Sequence, residues 1–221
     1  MPGPSAGVRG PWEDPTALRS RAPSDRSGPL RITGGIWRGR PLAAPKGEGT
    51  RPTADRLRQA IFNMLAARGV TLTGASVLDL FAGTGSLGLE ALSRGAARAT
   101  FVESAGPALA ALERNLAALG LAGDRAEVLR GDWRRALDRL AARGAAFRLV
   151  LLDPPYGEGL AAAAVERLAA SAILASGAIV VAEHAASEPI PGEVGGLETV
   201  VRRAHGRTAV SLLRKPAPER E

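Results

Sequence analysis

Residues 76–88 read Ser-Val-Leu-Asp-Leu-Phe-Ala-Gly-Thr-Gly-Ser-Leu-Gly, and this stretch decides the fold. An apolar run, 76–80, predicts a strand. A helical pattern over about 85–94 follows at once, and Gly83, Gly85 and Gly88 lie at the junction. Glycines between a strand and a helix let the backbone turn sharply and let a ligand approach it closely. Asp79 sits near the strand end, and Phe81, Ala82 and Thr84 complete the turn. Read literally, the three glycines also match GxGxxG, and Glu103 lies 20 residues beyond Gly83. A nicotinamide dinucleotide site has the same signature, so the motif by itself predicts an adenosine-type cofactor without choosing among them.

Working outward, strand and helix alternate. Strands are predicted at 76–80, 99–103, 126–130, 147–152 and 178–182, and helices at about 85–94, 106–119, 133–142 and 159–171. Near-continuous apolar strands alternating with helices argue for a parallel sheet covered on both faces. The chain then changes character. Glu198–Ala204 and Arg207–Lys215 flank His205-Gly206, a hairpin signal. A parallel α/β sheet that finishes in an antiparallel hairpin is the layout of class I methyltransferases: a Rossmann-like, mostly parallel, seven-stranded sheet. A dinucleotide dehydrogenase domain does not usually end this way.

Asp79 bears on the cofactor. A carboxylate at the strand end can hold a cationic ammonium, as in S-adenosylmethionine, and would repel a pyrophosphate. Glu103, at the end of the second strand, is placed to accept hydrogen bonds from ribose hydroxyls. Gly131-Asp132-Trp133 closes the third strand. Asp132 is a candidate acceptor for an adenine amino group, and Trp133 either covers the ring or packs in the core.

The fourth strand ends in Leu151-Leu152-Asp153-Pro154-Pro155-Tyr156. This run is more specific than a glycine loop, and chemistry explains its residue types. An exocyclic amine on a nucleobase is a poor nucleophile because its lone pair is delocalised into the ring. A carboxylate oxygen and a backbone carbonyl can accept both amine hydrogens, which exposes the lone pair to a methyl donor. Two prolines fix the backbone and remove competing N–H donors. Tyr156 offers a ring for base stacking, worth ~1–3 kcal/mol per base.

Composition narrows the classes further. The 221 residues contain no Cys and two His, His184 and His205. That excludes disulfides, thiolate metal sites and Cys nucleophiles, including the thiolate that pyrimidine-C5 methylation requires. No metal site is expected. No apolar stretch approaches the ~20 residues of a membrane span, so a soluble, cytoplasmic protein is expected. Of the formal net charge of +7, residues 30–58 carry seven Lys/Arg against Glu48 and Asp55, and residues 202–221 carry six against Glu219 and Glu221. Charge gathered in two segments is the pattern of a nucleic-acid surface.

Four segments are expected. Residues 1–29, with six Pro and four Gly, read as a disordered extension. Residues 30–70 read as a basic β-hairpin followed by a helix over 53–67, N-capped by Thr53, with Leu57, Ile61, Met64 and Leu65 as its apolar stripe. Residues 71–215 form the catalytic domain, and 216–221 a tail.

Taken together, these residues resemble the RsmD family, which methylates a guanine N2 in 16S ribosomal RNA. The resemblance rests on 79–96, the acid of Phe101-Val-Glu-Ser104 and the Asp153–Tyr156 run. It is sharpened by Arg31-Ile-Thr-Gly-Gly35, Trp37-Arg-Gly-Arg40, Arg51-Pro-Thr53, Asp55-Arg56 and Arg58, which follow the family's RIIGG…RGR…RPTxDRVRE pattern over residues 30–214. Residues 1–29 have no counterpart in that pattern, and a native start near Leu30 is expected.

The resemblance implies S-adenosylmethionine as cofactor. It implies 16S rRNA in the small ribosomal subunit, or an assembly intermediate, as substrate. A monomer with no membrane partner is expected. Asp153, Pro154, Pro155 and Tyr156 would carry catalysis. Asp79, Phe81, Ala82, Gly83, Thr84, Gly85, Gly88, Glu103, Asp132 and Trp133 would bind the cofactor. Arg31, Arg38, Arg40, Arg51, Thr53 and Arg58 would hold RNA. Three alternatives share some of these features: an adenine-N6 DNA or RNA methyltransferase, an NAD-dependent oxidoreductase, and a non-enzymatic RNA-binding assembly factor.

Overall fold

The alternation of apolar strands and helices produces a single sheet in the computed structural model, which describes residues 30–45, 52–121 and 123–217, the side chains of Pro52 and Thr53 excepted. The extension 1–29, Arg51 and most of the tail lie outside the described residues. In chain order the elements are α1 (Pro52–Ala67), β1 (Ser76–Leu80), α2 (Ser86–Ser93), β2 (Arg98–Glu103), α3 (Gly106–Ala118), β3 (Ala126–Arg130), α4 (Trp133–Ala142), β4 (Phe147–Leu152), α5 (Leu160–Ala169), β5 (Leu174–Ala185), β6 (Glu193–Val194), β7 (Leu197–His205) and β8 (Thr208–Arg214).

The strand order is β3-β2-β1-β4-β5-β8-β7-β6. Strands β1 to β5 run parallel, and β8 returns antiparallel against β5. The class I methyltransferase layout holds, with one addition to the seven strands expected. The two-residue β6 pairs with β7 and gives the sheet an eighth strand. Such a short edge strand carries no apolar run for a sequence pattern to register.

Alternation along the strands divides the core into two layers. Val77, Phe101, Leu149, Leu151 and Val181 pack with Ile61, Phe62, Leu65, Leu89 and Leu112 from α1, α2 and α3. Leu78, Val102, Val150, Leu152 and Val180 face Leu137, Leu140, Val165 and Leu168 from α4 and α5.

The N-terminal hairpin is short. Its arms join at one bridge, Arg31–Pro41, through three backbone hydrogen bonds: Leu42 N–H to Leu30 O at 2.7 Å, Ile32 N–H to Arg40 O at 3.0 Å and Gly39 N–H to Ile32 O at 2.8 Å. Leu30, Ile32 and Leu42 anchor it in the first core layer. Helix α1 starts at Pro52, so Thr53 lies inside the first turn and not at the cap. Proline is suited to that first position because its missing N–H would have no helical partner there.

Candidate active site

The strand order reverses between β1 and β4, and ligands in open α/β sheets bind beyond the carboxyl ends of the strands at such a switch point. Registers place the acids around it. Asp79 is paired with Phe101 and Leu151, and Leu152 with Ala182. Glu103 and Asp153 therefore stand two residues further along than Asp79's partners, on the same sheet face. Glu183 stands beside Asp153 at the same level. Four carboxylates thus line one face of the crevice: Asp79 at its floor, Glu103 toward β2, and Asp153 with Glu183 toward β5.

Asp79 is 1% exposed. Its Oδ2 accepts the Gly88 N–H, and its Oδ1 has no hydrogen-bond partner among the described residues. Burial raises its pKa well above the usual carboxylate range. The Gly88 hydrogen bond opposes that, and the charges of Asp153 and Glu103 add to it. A buried carboxylate oxygen with no partner is costly alone and is relieved by a cation.

Two glycines of the turn have separable roles. Gly83 has φ +55°, and a Cβ there would meet nothing within 4 Å, so its need for glycine is conformational and not one of space. A Cβ on Gly88 would lie 2.4 Å from Phe101 Cε1 and 3.1 Å from Asp79 Oδ2, so this position packs helix against strand. Phe81 holds φ 66°, a left-handed conformation that costs a non-glycine residue energy. That conformation sets its ring 5.6 Å from Trp133.

Glu103 accepts N–H bonds from Gly83, Ser104 and Ala105, each at 2.7 Å. Its carboxylate fixes the glycine turn and keeps one acceptor position in reserve, since each oxygen carries two lone pairs. Asp132 caps α4, accepting from the N–H groups of Arg134 and Arg135 at 3.0 and 3.2 Å with Oδ1. Its Oδ2 faces Arg134 Nη1 at 3.7 Å, an exposed ion pair loose enough for a ligand to share that oxygen. Trp133 is buried in the second core layer, so it walls the site more than it covers a ring. Phe81, Val102, Glu103, Gly131, Asp132 and Trp133 enclose a cavity of about 160 Å³. A larger concavity of about 740 Å³, between Arg98, Thr100, Glu127 and Arg143, opens at the other end of the strands, away from the switch point.

At β4, Pro154 is buried while Pro155 and Tyr156 are exposed. Tyr156 donates its hydroxyl to Glu183 Oε1, and Thr208 Oγ1 lies 3.2 Å away. Desolvation and, second, the Glu183 charge push Asp153 up to about 7. The residue retains exposed surface, so hydration moderates this rise. Desolvation also raises Glu183, opposed by the Tyr156 hydrogen bond.

Sequence reasoning misassigned one residue and overlooked three. Arg58 is 3% exposed. It donates to Asp55 at 2.8 Å, to Glu90 at 3.4 Å and to the Arg31 carbonyl. Its charge is consumed inside the protein, so it is a strut and not an RNA-phosphate ligand. Arg31, Arg38 and Arg40 are exposed as expected. The overlooked residues are Glu183, Glu90 and Asn115. Glu90, fully buried, also accepts from Arg94 Nε and from the backbone and hydroxyl of Thr33. Asn115 holds both backbone groups of Ala43 and donates to Thr84 O at 2.9 Å, joining the N-terminal segment to the glycine turn. An acid closing the apolar run 178–182 was the available signal for Glu183. The other two form long-range contacts with no local pattern.

Comparison with known proteins agrees with this layout. A family model described as "Conserved hypothetical protein 95" matches residues 30–214. The Escherichia coli protein named "Ribosomal RNA small subunit methyltransferase D" is 38% identical over 191 residues, covering 86% of this chain and 92% of its own.

The chain belongs to the RsmD family.

Among solved structures, "Putative methyltransferase yhhF" from Escherichia coli superposes with a TM-score of 0.73 at 36% identity, over 86% of this chain and 99% of that one. A Thermus thermophilus 16S rRNA N2 methyltransferase (RsmC), solved with AdoMet and guanosine, superposes with a TM-score of 0.57 at 25% identity, over 77% of this chain and 44% of that one. The switch-point crevice of this RsmD-family member therefore lies on a methyltransferase fold. Among its described residues no helix is long and apolar enough to cross a membrane.

Proposed function

We propose that this protein transfers a methyl group from S-adenosylmethionine to the exocyclic N2 amine of a guanine in 16S rRNA of the small ribosomal subunit. The coarser part, S-adenosylmethionine-dependent methylation of rRNA, accompanies membership of the RsmD family. The observation that supports the finer part is the Asp153–Tyr156 turn at the end of β4, the strand next to Asp79's across the switch point, with Asp153 two residues beyond Asp79's partner Leu151. The AdoMet and guanosine bound by the Thermus thermophilus neighbour support it.

The residues fit the cofactor. Asp79 Oδ1 is an orphaned carboxyl oxygen, and a cationic amino group beside it would favour its ionised form. Glu103 retains an acceptor position for a ribose hydroxyl, and the cavity between Phe81 and Trp133 suits an adenine ring, with Asp132 Oδ2 at its edge. When bound, the cofactor supplies a methyl carbon already activated by a positively charged sulfur, so the protein's work is positioning and orientation.

Asp153 and the Pro154 carbonyl accept the two hydrogens of the target amine, holding its lone pair toward the crevice. Asp153 then receives the proton that the amine loses on methylation. Tyr156 stacks the flipped base. Arg31, Arg38 and Arg40 hold phosphates from the hairpin, and Arg51 adds a cation and Thr53 a hydroxyl to the residues offered to the RNA, their side chains lying outside those described. A substrate particle, or an assembly intermediate, approaches a monomer from this side.

The test is transfer of a tritiated methyl group onto small subunits from a strain lacking the gene, followed by nucleoside mass spectrometry. N2-methylguanosine is expected. N6-methyladenine would replace this reading with the adenine alternative.

A further inference from the structure

We propose that Glu183 is a specificity-determining residue that reads the N1–H of the target guanine while Asp153 reads its N2 amine. This inference rests on the guanine-N2 reading above and deepens it.

Three observations converge. Leu152 and Ala182 are paired in parallel register, so Asp153, the first residue past the end of β4, and Glu183 in β5 follow that pair side by side. Adjacent strands lie about 4.8 Å apart, which sets the two carboxyl groups in a row along the rim. Second, the hydroxyl of Tyr156 donates to Glu183 Oε1, and this is the only hydrogen bond made to the Glu183 carboxylate among the described residues. That bond fixes the carboxylate and leaves Oε2 for another donor. Third, Tyr156, the ring on which the base would stack, is the residue that orients Glu183. A base lying against the ring presents its edge to both acids.

The chemistry then selects the base. At a pH where both are ionised, the two carboxylates accept and do not donate. A row of two acceptors matches an edge with two neighbouring donors. Guanine has that edge, N1–H beside the N2 amine. Adenine places an acceptor, N1, beside its N6 amine, and cytosine places N3 beside its N4 amine. Each would set a lone pair against the second carboxylate. A site built to receive a hydrogen from the substrate rejects an analogue lacking it far more strongly than a pocket that senses shape alone.

The experiment compares guanine with 2-aminopurine at the methylated position of 16S rRNA in reconstituted small subunits. 2-Aminopurine keeps the amine but has an acceptor at N1. Wild-type protein is expected to methylate guanine roughly 100-fold faster or more. Glu183→Gln keeps an oxygen for Tyr156 and turns an amide donor toward the base, so the guanine to 2-aminopurine rate ratio should fall by at least about 10-fold. An equal loss on both bases would show that Glu183 only supports Tyr156, and would overturn the assignment. Wild-type protein methylating both bases equally would overturn it without any variant. N6-methyladenine as the wild-type product would instead overturn the parent reading, and the product itself tells the two failures apart.

Discussion

Asp79 and Gly88 share a 2.8 Å hydrogen bond that spends one carboxylate oxygen on the glycine turn and leaves the other buried without a partner. Nine residues apart in the chain, they tie the first strand to the helix that follows it. The bond positions an acid whose remaining oxygen costs the folded protein energy until a cation arrives.

Asp79→Asn should therefore separate stability from binding. A carboxyl whose pKa is raised by folding binds protons more readily in the native state, so it lowers stability as pH rises above the ordinary carboxylate range. Asparagine keeps an acceptor for the Gly88 N–H and removes the charge. At neutral pH, without cofactor, we expect a gain of about 1 kcal/mol, a Tm higher by about 2–4 °C. S-adenosylmethionine affinity should fall at least about 10-fold, measured by calorimetric titration. A lower Tm together with unchanged affinity would contradict this role.

Arg58 and Arg38 should behave oppositely. Arg58→Ala strips a cation from the buried Glu90, which costs about 3 kcal/mol even with Arg94 in place. Its Tm should fall by roughly 6–12 °C, and the salt dependence of RNA binding should not change. Arg38→Ala should leave Tm unchanged and reduce the slope of log affinity against log salt by roughly 0.7–0.9. Thermal melts and filter-binding titrations at several salt concentrations decide the matter.

These two arginines show where sequence reading succeeds and where it stops. The parallel strands were legible as largely apolar runs, and the acids were legible from their places in them: Asp79 one residue before the end of the first, Glu103 closing the second and Asp153 following the fourth. The glycine turn and the proline pair are local signals as well. Arg58 looks identical to Arg38 in sequence. Only the helix face it shares with Ile61, Phe62 and Leu65 buries it, and Glu90, 32 residues away, makes that burial tolerable. Glu183 required the register of β4 with β5, and Asn115 required the fold of residues 43 and 84 onto α3. The cap at Thr53 failed because Pro52 is already helical.

The pH profile should report the carboxylate pair. Asp153 can receive the proton the amine loses only when it is itself ionised. Desolvation, followed by the Glu183 charge, raises its pKa to about 7. Single-turnover methyl transfer at saturating cofactor should climb with pH to a plateau, with a midpoint between the ordinary carboxylate range and about 7. Glu183→Gln removes the neighbouring charge and should move that midpoint to lower pH. A rate independent of pH from about 5 to 8 would argue against an ionised Asp153 as the acceptor.

The most direct test is Asp153→Ala, assayed side by side for cofactor affinity and for single-turnover methyl transfer to small subunits. The prediction is unchanged S-adenosylmethionine affinity with transfer slowed at least about 100-fold. Transfer at close to the wild-type rate would mean that the β4 turn does not hold the accepting amine.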